Sequence, residues 1–260
     1  MFRQAGKPRY LHRFGPKKFE LWQICLGLIA KQVYRLSYRR VARFLREHFR
    51  LKMHFTTLQK AAARLPSRLW QSLLLASLNC TEIYLSAADG TGFSRNNASQ
   101  YFLNRIDRIN PVNRHVQALA LIDIEKRKFV SGKFGARPRH EARYVPGLVK
   151  DVKPEVLLLD KGFDAEWLHE KMQQSGIFSL APVRKNCRRG KHRKFIRDNM
   201  DWCLYWQRNI IESLFSAIKR LFGSSLYSKK FKTQSTELFC RLLAYNVGYR
   251  LLRFSTEPIG

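Results

Sequence analysis

At 260 residues the chain is long enough for one large domain, or one domain with a small appendage. With 45% apolar residues, among them 18 Phe, 10 Tyr and 5 Trp, it can bury a core, which excludes a disordered polycation. Its 49 Lys and Arg against 19 Asp and Glu leave a formal charge of +30, which calls for a polyanionic partner, nucleic acid first and an anionic membrane face second. No stretch approaches the ~18–20 uncharged apolar residues of a spanning helix, and the basic N-terminus lacks the apolar core of a signal peptide. Five scattered cysteines without a CxxC pair fit a reducing interior rather than a disulfide framework. Cys187, His192 and Cys203 lie close in sequence, but their spacing matches no structural zinc pattern.

Residues 1–80 hold two acids, Glu20 and Glu47, and every aspartate lies after residue 88. The chain therefore divides into a basic region, 1–80, and a second domain, 81–260, where carboxylate chemistry must reside. Leu21, Ile24, Cys25, Leu28 and Ile29 recur with helical spacing. Ser37 is placed to cap a second helix with Val41, Phe44, Leu45 and Phe49 along one stripe. Thr56 or Thr57 caps a third, stopped by Pro66. Two short helices about a tight break are compatible with a helix-turn-helix offering Gln59, Lys60 and Arg64 to a DNA groove, or with a plain helical bundle.

After residue 81 the period changes. Glu82 to Ala88 reads as a strand ending at Asp89-Gly90, and 114–124 and 128–134 as two strands joined by a turn. A helix over 142–152 precedes the strand Val156–Leu159, which delivers Asp160 at its end. Asp164 caps a helix to about Gln174, and 177–183 forms another strand. The order predicts an α/β mixed sheet with helices packed on it. Between Arg184 and Arg197 stand eight basic residues without an acid, including Arg184, Lys185, Arg188 and Arg189. Such a run is either solvated or tracks a phosphate backbone. The segment 236–254, rich in Leu and Phe, reads as core helix.

Two aspartates brought side by side repel unless a cation lies between them, and hard oxygen donors suit Mg²⁺ or Mn²⁺. On one helix, Tyr205, Arg208, Glu212 and Lys219 fall in a narrow polar stripe opposite Ile210, Ile211, Leu214, Phe215, Ile218, Leu221 and Phe222. Glu212 can complete a three-carboxylate cluster, Arg208 and Lys219 can hold phosphates, and Tyr205 can hydrogen-bond or stack on a nucleotide. The same spacing also suits an Arg–Glu pair that only solvates an amphipathic helix. Arg95 and Lys161, beside the aspartates, are either phosphate ligands or ordinary surface cations.

The spacing Tyr205-(2)-Arg208-(3)-Glu212-(6)-Lys219 resembles the Y-(2)-R-(3)-E-(6)-K signature of bacterial and archaeal insertion-sequence transposases of the DDE type. AADGTGFS around Asp89 and LLLDKGFDAEWL around Asp160 resemble the two aspartate blocks of that family. The resemblance covers about residues 81–254 and implies a ribonuclease-H-like fold with a mixed five-stranded sheet, preceded by a small all-helical DNA-binding region. It implies that Asp89, Asp160 and Glu212 bind two divalent metals, and that Tyr205, Arg208 and Lys219 hold DNA near the scissile phosphate. It further implies double-stranded DNA as partner and a homodimer or larger assembly on DNA, in the cytoplasm near the nucleoid, with no membrane and no small-molecule substrate. The activity implied is cleavage at the element's ends and joining of 3′-hydroxyl ends to a target. A ribonuclease-H-type nuclease or a catalytically silent DNA-binding descendant would share much of this pattern. Asp160 and Glu212 are too close in sequence for the large insertion that some relatives carry between them.

Overall fold

The structure, a computed structural model, describes residues 1–11, 14, 17–79, 82–95, 115–136, 140–186 and 189–254, the last six by their backbone. Arg188 and Cys187 lie outside the described residues. In chain order, four helices come first: α1 (Leu21–Val33), α2 (Tyr38–Phe49), α3 (Phe55–Arg64) and α4 (Ser67–Ala76). The sheet follows with β1 (Leu85–Arg95), β2 (His115–Asp123) and β3 (Lys128–Gly135). After a 3-10 turn at Glu141–Tyr144 come α5 (Val145–Val149), β4 (Val156–Leu159), a second 3-10 turn, α6 (Glu166–Gln174) and β5 (Phe178–Leu180). The chain continues through α7 (Lys191–Asp198), α8 (Trp202–Trp206), α9 (Asn209–Phe222), the two-residue β6 (Ser225–Leu226) and α10 (Phe231–Phe254).

These elements form two compact units. One holds Met1–Ser77, Arg95–Ala98 and Ile218–Gly260, the other Leu78–Ser94 and Ser99–Ala217. Residues 218–254, which the sequence reading placed with the catalytic sheet, thus pack in the first unit. The reason is α10, whose Leu238, Phe239, Leu242 and Leu243 are buried against α1, α3 and α4. Thr236 Oγ1 donates to the carbonyl of Ala62 at 2.9 Å and Asn246 Nδ2 to Ser77 Oγ at 2.8 Å, fixing the register of this helix.

The expected faces of α1 and α2 hold in their centres: Leu21, Ile24, Cys25, Leu28, Val41 and Leu45 are buried, whereas Phe49 is exposed. Ser37 caps α2 as its sequence position suggests, accepting from the Arg40 N–H at 3.4 Å. The next helix starts earlier than Thr56, because the His54 ring accepts from the Thr56 N–H and serves as the cap. Pro66 ends α3 and opens α4, a helix that the sequence reading left undrawn. Where α1 meets α2 and α3, a Cβ on Gly27 would overlap Leu58, so glycine permits this approach. A buried ion pair closes the unit. Arg241 donates to Glu237 at 2.8 Å and to the carbonyls of Gly223 and Ser225 at 2.7 Å each, while Glu237 accepts from the N–H groups of Tyr227 and Ser228.

In the second unit the strands run β3-β2-β1-β4-β5. β1 is antiparallel to β2 and β2 to β3, whereas β4 is parallel to both β1 and β5. The short strands β4 and β5 are buried almost throughout, as parallel strands covered on both faces require. β4 has the bounds read from sequence, but β5 is shorter than 177–183, and the helix expected over 142–152 is reduced to a 3-10 turn and α5. β1 does not end at Asp89-Gly90 but continues to Arg95, paired with β2 throughout. Phe215 on α9 packs against Phe129 on β3 with ring centroids 5.9 Å apart, which seats that helix on the sheet.

His169 on α6 is buried, with Nδ1 2.8 Å from Ser179 Oγ on β5. Burial pushes its pKa down to about 4, against the pull of Asp164 and Glu166 and with the help of Arg193 and His192. The folded protein therefore holds the ring neutral where the unfolded chain would protonate it. That stabilisation is complete above about pH 6.5 and is lost as pH falls toward 4, about 3 kcal/mol in all. Thermal melts at pH 7 and pH 5 should show a larger drop for the wild type than for His169→Asn; equal slopes would refute it.

Candidate active site

The parallel register of β1 and β4 pairs Ala88 with Leu159. The next residue on each chain is Asp89 and Asp160, so the two carboxylates emerge side by side on neighbouring segments. Asp160 follows the end of β4, as expected, whereas Asp89 lies within β1. Glu212 comes from the first turn of α9. The segment 205–219 is not one continuous helix: α8 ends at Trp206, and Gln207 and Arg208 form a turn before α9 begins. That turn carries Arg208 into the carboxylates. Its Nη1 lies 3.0 Å from Asp89 Oδ2, and its Nη2 lies 2.9 Å from Glu212 Oε1 and 4.0 Å from Asp160 Oδ1.

Electrostatics follow from this crowding. Burial pushes Asp89 up to about 6, opposed by the Gly90 N–H at 2.7 Å and by Arg208, and assisted by Asp160 and Glu141. Burial works against charge on Arg208, but Tyr205, Asp89, Asp160 and Glu212 together raise its pKa. Tyr205 is only 6% exposed, with its ring centroid 5.9 Å from the Arg208 guanidinium carbon. Lys219 lies two turns beyond Glu212 on α9 and is half-buried.

Glu141 is a neighbour that the sequence reading missed. It starts the 3-10 turn after β3, accepts from Gln117 Nε2 at 2.8 Å, and fits against Gly90, where any Cβ would overlap its carboxylate. A lone acid after a basic stretch carries no sequence signal, so only the fold reveals it.

The three signature carboxylates are hard oxygen donors surrounding one cation, and that donor set suits Mg²⁺ or Mn²⁺. Among the described residues no three ligand side chains stand close enough to share an ion as placed, with the guanidinium of Arg208 lying among them. The donor chemistry fits; the spacing is that of a site holding arginine.

The second half of the basic run lies in α7. Glu166 accepts from the backbone N–H groups of His192 and Arg193 and thereby caps α7 from outside. Asp164 does not cap α6. It accepts from Arg193 Nε and Nη2 at 2.7 and 2.6 Å and from the Arg184 N–H. Burial pushes Asp164 up, but these bonds outweigh it and hold the carboxyl below the usual carboxylate range. Arg184, Lys185 and Arg189 are exposed, as are Lys161 and, in the other compact unit, Gln59, Lys60 and Arg64 on α3.

A mixed sheet of this strand order, flanked by helices and bearing a carboxylate on each of two neighbouring central segments, is a ribonuclease-H-like fold. The transposase DDE domain family matches residues 85–247, which include Asp89, Asp160 and Glu212, and the chain belongs to that family. No curated protein matches the sequence. Among solved structures, the cryo-EM structure of the piggyBac transposase synaptic complex with hairpin DNA is similar in fold, with a TM-score of 0.51 and 10% identity over 99% of this chain and 72% of that one. The crystal structure of the Mos1 strand transfer complex matches with a TM-score of 0.33 and 11% identity over 94% of this chain and 78% of that one.

Proposed function

We propose that this protein is a transposase that cuts DNA at the ends of its own element and joins the 3′-hydroxyl ends to a target. The observation that carries this reading is the meeting of Asp89, Asp160 and Glu212, from three separate segments, at the single guanidinium of Arg208. These three carboxylates would hold two divalent ions, Mg²⁺ or Mn²⁺, which when bound supply Lewis-acid charge to the scissile phosphate and acidify the attacking hydroxyl. The chain's own residues then bind and orient. Arg208 and Lys219 hold phosphate oxygens, with Tyr205 supporting Arg208 from beneath. Arg184, Lys185, Arg188 and Arg189 neutralise the backbone alongside. Gln59, Lys60 and Arg64, in the region 1–80, contact the element's ends. In-line displacement needs no side-chain nucleophile, so exposed Cys203 has no part in it. Joining two ends calls for a homodimer or larger assembly on DNA.

The test is a cleavage and joining assay on the coding region with its natural flanks. Two cuts, one at each end, that vanish with EDTA are expected. Cuts without end preference would instead mean a general nuclease, and binding without any cut a silent DNA-binding protein. Affinity for the ends should fall steeply with salt, by about a thousandfold or more between 50 and 200 mM, because each neutralised phosphate releases counterions. A flat dependence would contradict a role for the +30 charge in DNA binding.

A further inference from the structure

Between α6, β5 and α7, wholly within the second unit, lies a cavity of about 280 Å³. Its lining is mostly apolar. Ile177 and Ile196 are buried, while Phe178 and Phe195 are 39% and 57% exposed and meet edge to face with ring centroids 6.4 Å apart. One polar ring interrupts this lining. His169 is 2% exposed, with Nδ1 2.8 Å from Ser179 Oγ, and its buried Nε2 has no hydrogen-bond partner among the described residues. Folded proteins pair nearly all such atoms, because a buried polar group left alone gives up its hydration and gains nothing in return. The cavity is also remote from the carboxylates. β5 runs parallel to β4 with Phe178 beside Val156, so the cavity adjoins the start of these strands, whereas Asp160 follows the end of β4.

We infer that this cavity binds a small free phenol, with its ring against Phe178 and Phe195 and its hydroxyl on His169 Nε2. Size, charge and hydrogen bonding each select this class. A cavity of about 150 Å³ holds benzene, so this one takes a single ring with small substituents and falls short of a drug-sized ligand. Burial keeps the imidazole neutral, with a pKa near 4, so at neutral pH it offers no charge to an anion. If Nδ1–H donates to Ser179 Oγ, Nε2 is an acceptor; if the Ser179 hydroxyl donates to Nδ1, Nε2 carries the proton. A hydroxyl both donates and accepts, so it satisfies either tautomer. Two aromatic walls favour a flat ring over an aliphatic alcohol, since aromatic pairs gain beyond the area they bury. The inference does not depend on the proposed function, and its failure leaves that reading untouched.

The experiment titrates the full chain with p-cresol and with p-xylene, which differ by one hydroxyl, using calorimetry and ligand-observed NMR. The wild type should bind p-cresol at least about tenfold more tightly, because p-xylene leaves Nε2 unpaired. His169→Phe keeps a ring and removes the nitrogen, so the ratio of the two affinities should fall to about one. Phe195→Ala, at an exposed position, is expected to keep its melting point and to weaken both probes by about fivefold or more with their ratio unchanged, which tests the aromatic wall even where His169→Phe fails to fold. A wild type that binds neither probe, or binds both equally, overturns the inference, and Nε2 is then a site for water alone. A Gly-Tyr-Gly peptide that binds more tightly than p-cresol also overturns it, because the pocket would then serve a tyrosine of a protein partner. DNA cleavage by the same preparation tests the proposed function separately.

Discussion

Glu212→Gln is expected to slow strand cleavage by about a thousandfold or more while the protein keeps its fold. The side chain is 58% exposed and its contact with Arg208 is an i, i+4 pair on a helix surface, an arrangement worth only a few tenths of a kcal/mol. Glutamine keeps the shape and the hydrogen-bonding reach of the residue and removes only the charge. That charge is one of three that would hold cations at the scissile phosphate, where charge stabilisation amounts to several kcal/mol. At ~1.4 kcal/mol per factor of ten, the loss falls near three orders of magnitude. Single-turnover cleavage with Mg²⁺ measures it, and a thermal melt serves as the control. A melting point that falls together with activity would mean that Glu212 is structural.

The largest effect on stability is expected at Arg241. Arg241→Met should cost about 3–5 kcal/mol, because it strands the Glu237 carboxylate in the interior and removes donors from two carbonyls. For a chain of this size that corresponds to a melting point lower by roughly 10 °C. Removing both charges together would not restore it, since the N–H groups of Tyr227 and Ser228 depend on Glu237. Arg241→Lys should recover only part, as one ammonium cannot match the three-way reach of the guanidinium. The exposed i, i+4 pair Arg43–Glu47 has similar geometry, yet neutral substitutions there should leave the melt nearly unchanged. A melting point in Arg241→Met as unaffected as in those surface variants would refute the claim.

What the sequence showed and what it hid divide along physical lines. β4 and the pair β2–β3 were legible because their apolar content is high and their ends are marked by charged residues or turns. β1 was cut short because Asp-Gly is a turn signature, and only pairing with β2 along its whole length overrides that local preference. α7 was hidden by its own charge. Within KHRKFIRD, Ile196 alone is buried, and the N–H groups at its start are satisfied by Glu166, a residue 25 or more positions earlier. The membership of α10 in the first unit depends on long-range packing that no local pattern records. The nearness of Asp89, Asp160 and Glu212 to one another was expected from the resemblance, but two details of their surroundings were not. Periodicity cannot foresee a turn at 207–208, and it is this turn that aims Arg208 at Asp89. Nor could Glu141 be found before the sheet and the Gly90 contact were seen.

The acids around Arg208 have one further consequence. Three carboxylates (Asp89, Asp160 and Glu212) face one guanidinium, with Glu141 close enough to act on Asp89, an anionic island in an otherwise strongly cationic molecule. The long-range field would draw a duplex toward the protein, but at short range the island would turn a phosphate away. On the proposed function, grip and incision would therefore be governed by different ions. Monovalent salt would weaken the hold on DNA everywhere, whereas only multivalent cations would cancel the repulsion at the one place where, on the proposed function, the backbone is to be broken. A transposase with this charge distribution would in this way be kept from nicking every duplex it touches.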